Sequence, residues 1–100
     1  MLLFAGIVRI DPVERDEVTR AAIAVMQETR KLPGCISFVI STDLEDASVL
    51  HLFEQWESPE AVEAHLSEPR VEAFRLRLGS LGVREIAVSR YAVQSVGPLV

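Results

Sequence analysis

Two helix-start signals divide this chain into two similar halves. Asp11-Pro12 and Ser58-Pro59 each place a good N-cap residue before a proline at the first helical position. An apolar run precedes each signal, over residues 2–10 and 48–57. Such runs, rich in aliphatic residues and closed by turn or cap residues, are typical of β-strands. Each half is therefore predicted to begin with a strand that leads directly into a helix.

Proline also marks where the predicted helices end. The first helix is expected to run from Asp11 to about Lys31, where Leu32-Pro33-Gly34 stops it. Its buried stripe has three-to-four spacing and comprises Val18, Ala22, Val25 or Met26, and Thr29. The second helix is ended or kinked at Pro69. A further segment over residues 70–78 then directs three apolar side chains inward: Val71, Phe74 and Leu78.

The remaining apolar stretches are predicted to be strands. Residues 35–42 alternate, which directs Ile36, Phe38 and Ile40 to one face and Cys35, Ser37, Val39 and Ser41 to the other. The polar stretch 43–47 joins this strand to the next one as an antiparallel hairpin. A last strand is expected over residues 83–93, followed by a C-terminal tail at 94–100.

The resulting order is strand, helix, strand, strand, helix broken at Pro69, and strand. This order predicts an α+β fold, the ferredoxin-like βαββαβ plait, as a single domain over residues 1–100. Its four-stranded, mainly antiparallel sheet would carry both helical segments on one face. The third strand, however, is apolar on both faces, with Leu52 and Trp56 on one and Phe53 on the other. We therefore expect a homodimer in which a second copy covers the open face.

The charge pattern and the single cysteine exclude several classes of protein. Fifteen acidic and ten basic residues give a net charge of −5, and the arginines alternate with glutamates, so no nucleic acid partner is expected. Cys35 is the only cysteine, which leaves no intrachain disulfide. The N-terminal apolar run lacks signal-peptide features and is too short to cross a membrane. We expect a cytoplasmic protein with no membrane partner.

His65 is the strongest candidate for chemistry. It lies between Val62 and Leu66 on the helix face that turns towards the sheet. A buried imidazole with a pKa near neutrality can move protons. It can equally be a structural histidine that is hydrogen-bonded to a backbone carbonyl or to a carboxylate such as Glu54. The other histidine, His51, lies on the strand face that carries Phe53.

Glu54 and Trp56 leave the same face of their strand, about 7 Å apart. A carboxylate that is shielded from water beside an aromatic ring would have a raised pKa and could act as a base. Alternatively, Glu54 could pair with an arginine. Trp56 could pack in the core or stack on a planar ligand. Two separated histidines and one cysteine show no metal-ligand spacing, and no phosphate loop or nucleotide motif is present. We therefore expect neither a metal nor a cofactor.

A set of short motifs spans nearly the whole chain. They are Leu32-Pro33-Gly34-Cys35, Phe53-Glu54-Gln55-Trp56, Ser58-Pro59-Glu60-Ala61, Ala64-His65-Leu66 and Glu68-Pro69-Arg70 with the later Phe74. Together they resemble the signature of the antibiotic biosynthesis monooxygenase (ABM) domain. The resemblance extends over about residues 2–93.

The resemblance implies a dimeric α/β barrel with a small pocket between sheet and helices in each subunit. It also implies oxidation of quinols or aromatic phenols by O2 without metal or flavin. His65 would be the catalytic base or its hydrogen-bonding partner. The substrate-binding residues would be Trp56, Glu54, Phe74 and Phe53. A non-catalytic small-molecule-binding or assembly module with the same dimeric fold is the alternative function.

The chain departs from the family pattern in two places. Arg70 stands where family members often have a second histidine after the proline. Haem-degrading relatives carry an asparagine, a tryptophan and a histidine at positions that correspond here to Ile7, His65 and Arg75. Haem is therefore not an expected substrate.

Overall fold

A computed structural model describes all residues, 1–100. The elements follow the predicted order. They are β1 (Leu2–Arg9), a 3-10 turn (Pro12–Glu14), α1 (Arg15–Thr29), β2 (Cys35–Thr42), β3 (Val49–Trp56), α2 (Pro59–Leu66), α3 (Pro69–Ser80) and β4 (Glu85–Ala92). The break at Pro69 separates two distinct helices, as the proline predicts.

The four strands form one sheet in the order β2-β3-β1-β4, and every neighbouring pair is antiparallel. This is the order of the ferredoxin-like plait, so the predicted α+β fold is confirmed. The register aligns Phe4 of β1 with Glu54 of β3, which places even-numbered residues of both strands on the face that the helices cover. None of the helices is long and apolar enough to cross a bilayer.

Both predicted helix starts have the expected caps. The Asp11 carboxylate accepts a hydrogen bond from the backbone N–H of Val13, and the Ser58 hydroxyl accepts one from the backbone N–H of Ala61. The two starts differ in one respect, because the first turn after Asp11 is a 3-10 turn and the regular α1 helix begins only at Arg15. The second start enters α2 directly at Pro59.

The core lies between the helices and one face of the sheet. The predicted stripe of α1 is buried: Val18, Ala22, Val25 and Thr29. One cluster of buried side chains comprises Val25, Phe38, Trp56 and Val71, and a second comprises Ile10, Val18 and Leu50. Trp56 has no solvent exposure and is one of the largest fully buried side chains. It therefore packs in the core, one of the two roles considered for it.

The alternation predicted for β2 is wrong at its first residues. Cys35 and Ser37 pair with Trp56 and Gln55, which are consecutive, so Ile36 is an extra residue in a β-bulge. The bulge reverses the faces locally. Cys35 packs against the first core cluster, whereas Ile36 is exposed.

The turn into β2 requires a glycine. Gly34 has a positive φ of 84°, a conformation that L side chains rarely adopt. A Cβ at this position would also collide with the Cβ of Ala61 in α2. The glycine thus allows the start of β2 to approach the helix that carries His65.

The other face of the sheet carries no helix. The alternation and register of the strands place apolar and polar residues there: Leu3, Ala5, Ile7, Val39, Phe53, Ala87 and Tyr91, with Ser37, Ser41, His51, Gln55 and Ser89 among them. We name this surface the open face. Val39 and Phe53 are each 39% exposed and Tyr91 is 51% exposed. The homodimer that would cover this face remains a prediction.

Candidate functional site

A cavity of about 240 Å³ lies between the helix-covered face of the sheet and helices α2 and α3. Twelve of its sixteen lining residues are hydrophobic. Its polar members are His51, Glu54, His65 and Arg75. The His51 side chain stands at an odd-numbered position of β3, so it points to the opposite face of the sheet, where it contacts the Asp43 carboxylate at 2.8 Å. Three polar side chains remain for the cavity. An apolar pocket with a few polar groups is the usual form of a small-molecule site.

His65 is held in this cavity by aromatic contacts. Its ring is 5% exposed and faces the sheet, as the periodicity of the helix predicts. The ring centroid lies 4.7 Å from that of Trp56 at a tilt of 33°, and Phe38 meets it edge-on at 5.6 Å. The buried Nδ1 atom has no hydrogen-bonding partner. A buried polar atom without a partner is unusual in a native structure.

Glu54 is oriented by Trp56. Its Oε1 atom accepts a hydrogen bond from the Trp56 indole Nε1 at 3.0 Å and lies 3.8 Å from His65 Nε2. The carboxylate is 12% exposed. No arginine lies within ion-pair distance of it, so the arginine pair considered from the sequence does not form.

Burial changes the protonation of both groups in the same sense, towards the neutral form. It raises the pKa of the Glu54 carboxyl, an effect that the Trp56 hydrogen bond partly offsets. It also lowers the pKa of His65, and the Arg75 guanidinium contributes to this shift. The separation of 3.8 Å is longer than a hydrogen bond, so the two side chains are in contact without forming a tight ion pair. Both effects favour a neutral His65 imidazole, whose Nε2 lies towards Glu54 and whose Nδ1 has no partner.

Four of the five predicted site residues lie together. Glu54, His65 and Phe74 line the cavity, and Trp56 lies behind His65 in the core. Phe53 does not join them, because odd-numbered residues of β3 face the open side of the sheet. The His, Cys, Asp and Glu side chains form no group of three or more that could hold a metal ion.

The sequence interpretation gave no role to Arg75, which lines this cavity. A signal for it exists in the helical spacing. Arg75 follows Val71 by four residues and Phe74 by one, so it belongs to the same side of α3 as the inward-facing apolar residues.

Arg70 lies away from the cavity. It lines a separate, wider groove between α1 and α3 and pairs with Glu28 of α1. Arg77 pairs with Glu17 across the same groove at 2.8 Å. The position where family members often have a second histidine therefore contributes here to helix packing and not to the chemistry around His65.

Comparison with known proteins identifies the family. The model of the antibiotic biosynthesis monooxygenase family matches residues 1–77. The chain belongs to the ABM family. The predicted family resemblance is confirmed, and the ABM match includes every residue of the cavity except those of β4 and Leu78.

Solved structures agree with the ABM fold. A Deinococcus radiodurans protein that carries the family's name superposes with a TM-score of 0.91 at 21% identity, over 100% of this chain and 99% of that one. Rv0793 from Mycobacterium tuberculosis gives a TM-score of 0.86 at 25% identity, with 97% and 98% of the two chains covered. At such identities the likeness supports the fold and leaves the substrate open.

A curated relative is also similar in sequence. The uncharacterized protein sll1783 of Synechocystis is 25% identical over 73 residues, which is 73% of this chain and 50% of the relative. The ABM chain therefore spans about half the length of the curated relative that it matches.

Proposed function

We propose that this chain is a cofactor-independent monooxygenase that oxidises a small aromatic or quinol-like substrate with O2. The observation that supports this most directly is the buried His65, which lines an apolar cavity of about 240 Å³ and whose Nδ1 has no hydrogen-bonding partner. A neutral imidazole in such a place is suited to act as a general base. Membership of the ABM family agrees with this chemistry.

In the proposed reaction the substrate supplies the electrons. The His65 imidazole accepts a phenolic proton, and the imidazolium that forms is stabilised by Glu54, whose Oε1 lies 3.8 Å from Nε2. The electron-rich phenolate then transfers an electron to O2, and the two radicals combine. One oxygen atom enters the product and the other leaves as water, so that a quinol becomes a hydroxyquinone. Trp56 orients Glu54 and packs against His65 without itself lining the cavity.

The size of the cavity restricts the substrate. Engineered apolar cavities of about 150 Å³ are known to bind benzene. A cavity of about 240 Å³ therefore fits one substituted ring or a compact pair of fused rings. Phe74, Val71 and Leu52 would contact the ring faces and edges.

We further propose that the active form is a homodimer. The open face presents Phe53, Val39 and Tyr91 to solvent on a sheet that has no second layer, and sheets pack face to face about 10 Å apart. A second copy of this chain is the partner that closed two-fold symmetry favours. The cytoplasm is the proposed location, since the lone Cys35 is compatible with a reducing compartment.

A binding module without turnover is the second candidate. The contacts of His65 with Trp56, Phe38 and Glu54 would also hold a purely structural histidine in place. In that case the cavity would bind an aromatic ligand, and the protein would consume no O2.

Oxygen uptake separates the two candidates. Purified protein is incubated with hydroquinones of one and two rings and with the larger anthrone, against enzyme-free reactions that measure autoxidation. We expect uptake above this background, one labelled oxygen atom in the product when ¹⁸O2 is supplied, and a preference for the smaller rings. Binding of these compounds with no uptake above background would support the binding module and overturn the monooxygenase.

A further inference from the structure

Arg75 is an arginine without a partner at the opening of the cavity. It lines the cavity from α3, yet its guanidinium forms no hydrogen bond or ion pair with any side chain. Glu72, three residues earlier on the same helix, is also outside ion-pair distance. The side chain is exposed, so its charge is available at the cavity opening.

The other two arginines on α3 have carboxylate partners. Arg70 pairs with Glu28 and Arg77 with Glu17, and both bridge to α1. The chain as a whole has fifteen acidic and ten basic residues, so carboxylates are in excess. An arginine that remains unpaired in such a chain, at the edge of an apolar cavity, is placed to bind an anion from outside the protein.

The cavity lining thus includes polar groups with different chemistry. His65 offers an unpartnered, buried nitrogen that accepts a proton or a hydrogen bond. Arg75 offers five N–H donors in a planar fork that matches a carboxylate. Apart from Glu54, the rest of the lining is largely apolar and includes Val71, Phe74 and Leu78.

We propose that Arg75 binds an ionised carboxylate of the ligand and that the cavity therefore takes phenolic acids. The aromatic ring lies in the apolar part, the hydroxyl group faces His65, and the carboxylate remains at the opening with Arg75. This assignment deepens the proposed function by naming its substrate class. Arg75 is a specificity-determining residue, and no reaction step depends on it.

Calorimetric titration tests this assignment with matched ligands. The probes are 3- and 4-hydroxybenzoate, each compared with its methyl ester, which keeps the ring and the hydroxyl group and removes the charge. Charge-assisted hydrogen bonds are about twice as strong as neutral ones, so we expect at least one of the two acids to bind about tenfold more tightly than its ester. Added salt should reduce this preference, because the site is open to solvent.

Three variants test whether Arg75 causes the preference for the acid over its methyl ester. Arg75→Gln should reduce it to about twofold or less, and Arg75→Lys should retain part of it, since an ammonium keeps the charge and loses the fork. Arg77→Gln is the control, because Arg77 lies on the same helix and faces the α1–α3 groove. It should leave the preference unchanged.

The proposal is overturned if neither acid binds better than its ester, if neither acid binds at millimolar concentration, or if Arg75→Gln keeps the full preference. These outcomes are distinct from failure of the proposed function. The titration measures binding without O2 consumption, so an oxygenase that prefers neutral quinols would pass the uptake test and fail this one. A carboxylate-binding module without turnover would bind the acids more tightly than their esters and would show no O2 uptake above background.

Discussion

The two faces of strand β3 differ in how completely the chain covers them. The face with Leu50, Glu54 and Trp56 meets α1, α2 and α3 and contains the cavity with His65. The face with His51 and Phe53 meets no helix, and Phe53 is 39% exposed although the chain folds a full sheet around it. Alternation along a single strand thus separates a site that one chain completes from a surface that we expect a second copy to cover.

The difference has a consequence for the polar groups. On the covered face, burial favours neutral forms of Glu54 and His65. On the open face, His51 contacts Asp43, whose pKa is lowered to about 2 by hydrogen bonds from His51 and from backbone N–H groups. A histidine and a carboxylate thus form a buried contact in which burial favours neutral forms on the covered face, and a solvent-exposed contact with a carboxylate of lowered pKa on the open face.

The largest expected effect of a substitution is on the covered face. Trp56→Ala removes a fully buried indole and leaves a cavity, so it should lower the free energy of unfolding by about 3–5 kcal/mol. Urea denaturation measures this loss. The control is Leu44→Ala in the exposed hairpin turn, which should change stability by less than about 0.5 kcal/mol. A loss below about 1 kcal/mol at Trp56 would contradict the assigned core.

The next effect concerns the open face. The wild-type protein should sediment with about twice the monomer mass of 11.1 kDa at micromolar concentration. Phe53→Lys would place an unpaired ammonium in the proposed interface, a cost of several kcal/mol, and should weaken association about a hundredfold or more. Its control is Leu76→Lys, an exposed position on α3 remote from this face. A monomeric wild type would refute the homodimer.

The smallest effect is a pH dependence at Glu54. Its pKa in the folded protein is raised above the ordinary value of 4.5, so its contribution to stability is present below that pH and is lost as pH rises through the folded value. Glu54→Gln stays neutral and keeps the oxygen that accepts from Trp56. The variant should be more stable than wild type at pH 7, and the difference should vanish towards pH 4. Thermal unfolding of both proteins between pH 4 and pH 7 measures this difference in stability. If Glu54→Gln were less stable than wild type at pH 7, the folded protein would favour the Glu54 carboxylate, which would contradict the raised pKa.

Most of the fold could be predicted because its signals are local. Caps, prolines and the stripe of α1 depend on residues close in sequence, and each was found where the pattern placed it. The bulge at Ile36 could not be predicted, since it depends on pairing with β3 and reverses the faces of Cys35 and Ile36. Because side chains alternate between the two faces of a strand, one inserted residue moves the neighbouring side chains to the opposite face.

The site was predictable in part for the same reason. Helical spacing directed His65 inward, and strand alternation placed Glu54 and Trp56 on one face. The absence of an arginine beside Glu54 depends on how α2 and α3 lie over the sheet. Arg70 and Arg75 are five residues apart on one helix, and the first faces α1 whereas the second lines the cavity. Helical spacing separates the two side chains, but which of them meets the cavity depends on how α3 lies between α1 and the sheet.

The comparison of the two histidines tests the central claim most directly. His65→Gln and His51→Gln make the same chemical change on opposite sides of β3, and O2 uptake with the best hydroquinone is measured for both. General base catalysis contributes about 10²–10⁴-fold, so we predict a loss of this size in His65→Gln and nearly wild-type uptake in His51→Gln. Equal rates in the two variants, with both folded, would contradict the account that the covered face of the sheet is the reactive one.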